Sequence, residues 1–427
     1  MTRVFFFLIF LGLLTQCKTK EEAMTMPAEW EKQDAVLLTY TEDPNDSLTS
    51  FGVRSTCDEL IDVIAKRMKI YVLINEDWNS DSLTSIFNDR GFNTNNIELI
   101  KVNELFSMGV ARDYGPLVIR NQSGQRKLLK FNWDYVGADM LDPDTSWTNW
   151  KNEVRRKYFE QISKLLKMDI VESELTIEGG EIELNGQGTA LLVESFTKPR
   201  HPKMDIGKFG SSLELSLGVS NIIWLKEGIA EDPSSLQSYV ISKNIYGFGV
   251  GGHVDEFARF ADSNTILLTV PDSVEATMDP VKKINYERMN RNFDILSNSK
   301  DQNGDTFKII KVPMPDILAD TFVIDTTRNQ RLQIRSIMRK NPHLEQGDTI
   351  HFLPAVSYLN YIVLNDIVII PKYWVQGFPE STKRKDDEVK ELFQSLYPKK
   401  DIVQLNPLGL NYAGGGFHCW TQQISYN

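Results

Sequence analysis

From Met26 onward, short runs of Val, Ile, Leu and aromatic residues alternate with longer stretches in which apolar residues recur every third or fourth position. The runs at 35–40, 69–74, 115–120, 127–133, 189–196, 221–227, 265–272, 307–313 and 361–373 predict β-strands, because β-branched and aromatic side chains suit a pleated surface. The polar pentapeptide at 121–125 and the Leu-Asn-Asp-Ile stretch at 364–367 predict hairpin turns, since Gly, Asn and Asp tolerate the backbone angles a turn needs. The three- and four-residue spacing predicts helices over 54–67, 147–167, 276–296 and 385–396, with their charges on solvated faces. Residues 326–350 are more polar and read as an insertion carrying a short helix. No Gly/Ser- or Pro-rich linker divides the chain, so the alternation points to one large α/β body.

Residues 1–20 differ from the rest. Arg3 precedes the apolar run from Val4 to Leu14, and Cys17 follows it. That run is too short to span a bilayer as a helix but suits a signal peptide. The segment resembles the leader of bacterial lipoproteins, in which the Cys is acylated and becomes the mature N-terminus. The expected organisation is a signal peptide over 1–16, a lipidated tether over 17–25 with Cys17 as the lipidation site, and a single domain over 26–427. The expected location is the cell envelope, lipid-anchored or secreted.

Composition narrows the chemistry. Hydrophobic residues make up 41% and charged residues 25% of the 427, which excludes wholesale disorder. Three Cys cannot build a disulfide framework. With 47 Lys and Arg against 58 Asp and Glu, the net charge of −11 argues against nucleic acid as a partner and tolerates a cationic substrate. The Cys and His positions show no metal-ligand spacing, so no metal or organic cofactor is expected.

Four segments combine Gly with reactive side chains. Arg112-Asp113-Tyr114-Gly115-Pro116 stands just before a predicted strand. Glu178-Gly179-Gly180-Glu181 stands between a predicted helix and a strand. Gly251-Gly252-His253-Val254-Asp255-Glu256, if extended, puts His253 and Asp255 on one face. Ala413-Gly414-Gly415-Gly416-Phe417-His418-Cys419-Trp420 places three glycines before a His-Cys pair. Taken singly, Asp113 reads as a turn former, Glu178 as a loop acid and Cys419 as a small buried hydrophobe, while His253 is balanced between a local hydrogen bond and catalysis.

Together the four segments resemble the agmatine deiminase and bacterial peptidylarginine deiminase family, part of the guanidine-modifying pentein superfamily. The resemblance begins at Met26-Pro27-Ala28-Glu29-Trp30-Glu31 and runs to Gln423. It implies an α/β pentein fold, a five-bladed α/β propeller of ββαβ modules around a pseudo-fivefold axis. It implies Cys419 as nucleophile, His253 as general acid and base, and Glu178 as the acid that positions the histidine. It implies Asp113 and Asp255 as carboxylates gripping the guanidinium, with Trp30, Gly415 and Gly416 at the substrate. His418 reads as loop structure. The expected reaction hydrolyses a guanidinium to a ureido group and ammonia, with a small guanidinium compound or peptidyl arginine as substrate. A lipid-anchored binding protein for cationic ligands is the competing reading. The stretch from Asn132 to Gly137, and Gly416 where the family often has Asn, depart from the family pattern and leave the substrate open.

The leader generates the first prediction. In its bacterial host the wild-type protein should sediment with membranes, because several acyl chains on Cys17 hold where one holds only weakly. Cys17→Ala should abolish the acylation. Mass spectrometry of the native N-terminus decides, and an unlipidated terminus would refute the anchor.

Overall fold

The computed structural model describes residues 23–41, 52–102, 110–134, 145–233, 237–316, 319–327 and 332–426. The predicted leader and Cys17 lie outside the described residues. Met24 packs on an apolar cluster and Thr25 pairs with the backbone of Arg120, so this end of the expected tether lies against the body.

The chain lays down β1 (Gln33–Thr39), a helix over Val53–Ala65, β2 (Lys69–Asn75), a helix over Ser80–Asp89 and β3 (Ile97–Val102). Next come β4 (Leu117–Arg120), β5 (Arg126–Asn132), a helix over Thr145–Leu166 and β6 (Asp169–Thr176). β7 (Glu183–Leu184) and β8 (Thr189–Val193) lead through a helix over Ile206–Leu217 to β9 (Asn221–Leu225). β10 (Val240–Ser242) and β11 (Ile245–Gly247) precede β12 (Ala258–Phe260), β13 (Thr265–Thr269), a helix over Pro280–Asn298 and β14 (Lys308–Val312). β15 (Asp320–Val323), a helix over Leu332–Lys340 and β16 (Thr349–Leu353) follow. β17 (Ile362–Val363), β18 (Ile367–Pro371), a helix over Glu380–Leu396, β19 (Asp401–Leu405) and β20 (Thr421–Ser425) complete the order.

One pattern recurs. The sheets β4-β5-β6, β7-β8-β9, β12-β13-β14 and β17-β18-β19 each join an antiparallel pair, then cross through a helix to a strand parallel to the second. A fifth sheet uses both ends of the described chain: β20 pairs antiparallel to β1, and β2 and β3 follow in parallel.

The middle strands carry the apolar runs because both of their faces are buried. Side chains alternate along a strand, so each face meets a different neighbour. In β1, Val36 and Leu38 join a cluster with Ile367 and Ile369 of β18, while Ala35 and Leu37 join one with Val118 and Leu128. In β8, Ala190 and Leu192 meet Leu117 and Leu129, whereas Leu191 and Val193 meet Ile266 and Leu268 of β13. Leu267 turns the other way, toward Val368 and Ile370. Each of these five sheets therefore shares a cluster with two others, and the sheet of β18 shares one with the sheet of β1.

Local chemistry sets the boundaries. The predicted helix over 276–296 is two pieces. Glu275–Met278 ends at Asp279, whose side chain accepts from the backbone N–H of Val281 and Lys282 and starts a new helix with Pro280 in its first turn. The Asn121 N–H bonds the Gln125 carbonyl at 3.1 Å, and the Leu364 N–H bonds the Ile367 carbonyl at 2.9 Å, closing both predicted turns. The polar stretch 326–350 does carry a helix. With β15 and β16 it builds a further sheet, β10-β11-β16-β15. That sheet leans on Tyr412: Phe352 stacks on its ring, and Gln333 donates to its carbonyl. Among the described residues no helix is long and apolar enough to cross a membrane.

Leu192 tests the shared-cluster packing. Leu192→Ala should lower stability by about 2–5 kcal/mol in chemical denaturation, because the neighbouring sheets cannot collapse onto the gap. Leu215→Ala, at a side chain 83% exposed, should change it by less than about 0.5 kcal/mol.

Candidate active site

The residues singled out in the sequence sit at equivalent places in the five repeating sheets, just ahead of the first hairpin strand. Asp113 lies on the single-turn helix Ala111–Tyr114 before β4. Glu178 and Gly180 lie in the turn before β7, directly after β6 rather than after a helix as the apolar pattern suggested. His253, Asp255 and Glu256 precede β12, Asn360 precedes β17, and Cys419 precedes β20. The segment 253–256 is not extended as expected: Val254–Glu256 forms a 3-10 turn. His253 and Asp255 still reach one centre, because the turn folds around Gly180. A Cβ at Gly180 would lie 2.7 Å from His253 Nδ1 and 3.0 Å from both Asp113 Oδ1 and Asp255 Oδ2. Only glycine allows these three groups to approach one another.

All of these side chains are buried: Glu178, His253 and Asp255 are 0% exposed, and Asp113 and Cys419 are 3% exposed. His253 Nε2 bonds Glu178 Oε2 at 3.0 Å, which leaves Nδ1 facing the centre. The Gly180 N–H holds Asp113 Oδ1 at 3.1 Å. Asp113 Oδ2, Asp255 Oδ1, Glu256 Oε2 and His253 Nδ1 are buried without a hydrogen-bond partner among the described residues. Leaving such atoms unmatched is costly, so this is the part of the molecule prepared for a polar ligand.

Cys419 stands on the one-turn helix Phe417–Trp420. Asn360 clamps it. Its Oδ1 accepts from the backbone N–H of His418 at 2.9 Å and of Cys419 at 3.3 Å, while its Nδ2 donates to the sulfur at 3.1 Å. The thiol lies 3.5 Å from Asp255 Oδ2 and 3.7 Å from Glu256 Oε1. Gly415 and Gly416 serve this clamp: a Cβ on the first would lie 2.6 Å from Cys419 Cβ, and on the second 2.5 Å from Asn360 Oδ1. Both glycines are required for the nucleophile loop to close on itself. Trp30 is half-buried and packs against two apolar clusters. Cys57 is likewise a buried core residue.

Burial and neighbouring charge set the proton affinities. Burial alone would drive His253 to its neutral form, but the carboxylates of Asp113, Glu178 and Asp255 outweigh it and raise its pKa to about 10. Burial lifts Asp113 to about 7, with His253 opposing and Glu178 and Asp255 assisting the rise. Burial pushes the Cys419 thiol well above its usual value, and Asp255, Glu256 and Asp113 push it further. Burial and the charges of Asp255 and Asp232 likewise raise Glu256, so it holds its proton. Burial would raise Asp255 too, but its hydrogen bond to His418 and the positive charges of His418, His253 and Arg259 keep it below the ordinary carboxylate range.

Several residues outside the sequence-derived set support this centre. Asp232 accepts from the backbone N–H groups of Val250, Gly251, Gly252 and His253, pinning the histidine loop. Arg200 reaches Glu181 at 2.7 Å and Glu178 at 3.4 Å. His418 is wedged between Asp255 and Glu29. The Gly-rich spacing that marks the nucleophile loop gives no hint of Asn360 or Glu29. Asp255, Glu256 and Cys419 bring three metal-ligand-type atoms within 4.8 Å of one another, and the same atoms can surround an N–H-bearing cation.

A buried thiol, an imidazole raised toward the imidazolium and a ring of carboxylates define a cysteine hydrolase for a cationic carbon centre. Residues 25–425 match the model of the Porphyromonas-type peptidyl-arginine deiminase family, and the chain belongs to that family. It is therefore a deiminase, a hydrolase of C–N bonds. The agmatine deiminase of Pseudomonas syringae pv. tomato is 25% identical over 410 residues, covering 95% of this chain and 96% of that protein. The agmatine deiminase of Pseudomonas fluorescens is 24% identical over 413 residues, with the same coverage. The solved agmatine deiminase of Enterococcus faecalis superposes with a TM-score of 0.68 at 20% identity, covering 94% of this chain and 96% of that one. The mixed α/β fold is thus the fold of these deiminases.

Gly180 provides the test of this geometry. Gly180→Ala should leave the thermal midpoint near wild type yet cut turnover by about a hundredfold, because it pushes His253, Asp113 and Asp255 apart by about an ångström. Turnover within a few-fold of wild type would show that the three groups do not act as one site.

Proposed function

We propose that the chain hydrolyses the guanidinium of a small agmatine-like compound to a ureido group and ammonia. The observation that carries this reading is the set of unpartnered buried atoms around Gly180. Asp113 Oδ2 and Asp255 Oδ1 are acceptors for guanidinium N–H groups, and His253 Nδ1 is a donor for a departing nitrogen. The five sheets are read as ββαβ modules around a pseudo-fivefold axis, with these residues at the central end of each module. The shared clusters and the equivalent positions of the site residues support that arrangement.

The charge distribution suggests how the thiol becomes reactive. With the site free of substrate, burial first and the neighbouring acids Asp255, Glu256 and Asp113 next disfavour a thiolate at Cys419. A bound guanidinium brings positive charge among them, so the thiolate forms where the cation lies. The thiol proton leaves by way of Asp255 Oδ2, 3.5 Å away, because Glu256 already holds a proton. Attack on the guanidinium carbon forms the C–S bond. The His253 Nδ1 proton then goes to the leaving nitrogen, which departs as ammonia and leaves a thiouronium. The neutral imidazole next takes a proton from water; the hydroxide adds to the thiouronium carbon, and its remaining proton leaves with the sulfur as the C–S bond breaks, restoring the thiol and giving the ureido product. Glu178 holds Nε2 throughout.

Peptidyl arginine is the second reading, because the family's own name carries it and an envelope address would expose the site to peptides. A pure binding role is disfavoured, since binding a cation does not call for a clamped thiol.

The experiment is a ureido-product assay against agmatine, free arginine, and internal- and C-terminal-arginine peptides. Agmatine should be the best substrate, and preference for a peptide would select the second reading. Cys419→Ser should remove turnover while keeping guanidinium binding by calorimetry. The pH profile has a definite sign. kcat/KM should rise through about 7 as Asp113 loses its proton and fall through about 10 as His253 loses its own. A flat profile across that range would refute the assigned roles.

A further inference from the structure

Glu29 sits behind the nucleophile, on the opposite side of His418 from Asp255. Its Oε1 accepts from His418 Nε2 at 2.7 Å and from Arg112 Nη1 at 2.8 Å. Its Oε2 accepts from Arg259 Nη2 at 2.6 Å and from Gln423 Nε2 at 3.3 Å. The other ring nitrogen of His418, Nδ1, bonds Asp255 Oδ2 at 2.6 Å. Both imidazole nitrogens therefore face carboxylate oxygens, and both must carry a hydrogen to bond them. Burial would raise Glu29, but Arg112, His418 and Arg259 keep it well below the usual carboxylate range. Asp255 is also faced by His253, Cys419, Glu256 and, from β12, Arg259.

We propose that Glu29, carried on the segment that precedes β1, is a positioning residue that acts through His418 to fix the charge and orientation of Asp255. This rests on the reading of Asp255 as a guanidinium ligand. The physical logic is a chain of hydrogen bonds. Two arginines fix the Glu29 carboxylate, the carboxylate accepts from one ring nitrogen of His418, and the other ring nitrogen holds Asp255 Oδ2. Asp255 Oδ1 stays unpartnered toward the substrate. Without Glu29 the imidazole has one carboxylate neighbour instead of two. It then needs only one N–H, and Asp255 can take up the released proton. A protonated Asp255 is a poor acceptor for guanidinium N–H groups. The relay also makes a segment 389 residues away in sequence part of the substrate grip.

The test compares Glu29→Gln, Glu29→Asp, His418→Gln and the Glu29→Gln/His418→Gln double variant with the wild-type chain. Glu29→Gln should raise KM for the guanidinium substrate and lower kcat/KM by about a hundredfold. Glu29→Asp keeps the charge and should recover activity to within about tenfold. In folded protein the double variant should raise KM no further than His418→Gln alone, because the direct hydrogen-bonded path from Glu29 to Asp255 runs through the imidazole. Additive losses, or an unchanged KM in a folded Glu29→Gln protein, would overturn the proposal. Glu29→Gln leaves Arg112 and Arg259 short of a counter-charge and threatens folding, whereas His418→Gln leaves both arginines paired and supplies the same comparison. A second readout is independent of turnover. With ¹⁵N-labelled histidine, assigned by His418→Gln, the wild type should show two protonated ring nitrogens at His418, and Glu29→Gln only one. Two in both proteins would overturn the relay. A wild-type chain that converts no guanidinium compound would instead refute the proposed function, and the histidine signals would still decide the relay.

Discussion

Four carboxyl groups, Asp113, Glu178, Asp255 and Glu256, share one buried centre, and the rest of the site is arranged around their charge. Buried anions persist only when cations or hydrogen-bond donors surround them. His253 answers Asp113 and Glu178, His418 answers Asp255, and Arg200 answers Glu178 together with Glu181 and Asp134. Glu256 escapes the crowd by keeping its proton. What remains is a centre with surplus acceptor capacity, which a planar cation can complete.

Two further buried arginines join the sheets. Arg259, at β12, reaches Glu183 of β7, the carbonyls of Leu359 and Tyr361, and Glu29. Arg112, beside Asp113, reaches Glu29 and the carbonyl of His418. Holding the sheets together and holding the reactive groups in register are therefore one task. A shift of the sheets these arginines bridge would move the groups at the centre.

The central strands were legible in the sequence because each is sandwiched between two neighbours and is apolar on both faces. Strands such as β6 and β19 were not, because their side chains are largely half-buried or exposed and their residues mixed in polarity. The reactive set stood out through its glycines, which Gly180, Gly415 and Gly416 explain by the close approach each permits. Partners of that set that lie in separate modules carried no such mark. Glu29 reads as one more acid near a Trp, and Asn360 as a polar residue within an apolar run. Their roles appear only when the chain brings them to His418 and Cys419. The reading of 253–256 as extended failed because side-chain periodicity cannot report a single 3-10 turn, although it named the right pair of side chains.

The pairing of β20 with β1 also orders events in time. A ribosome makes β1 long before β20, and Cys419 immediately precedes β20. Until that strand emerges, the first sheet lacks its partner and the imidazole, carboxylates and thiol are not assembled. A nascent chain thus carries no working nucleophile. Activity arrives in one step with the closing strand, and a chain cut short anywhere before it is inert rather than partly active.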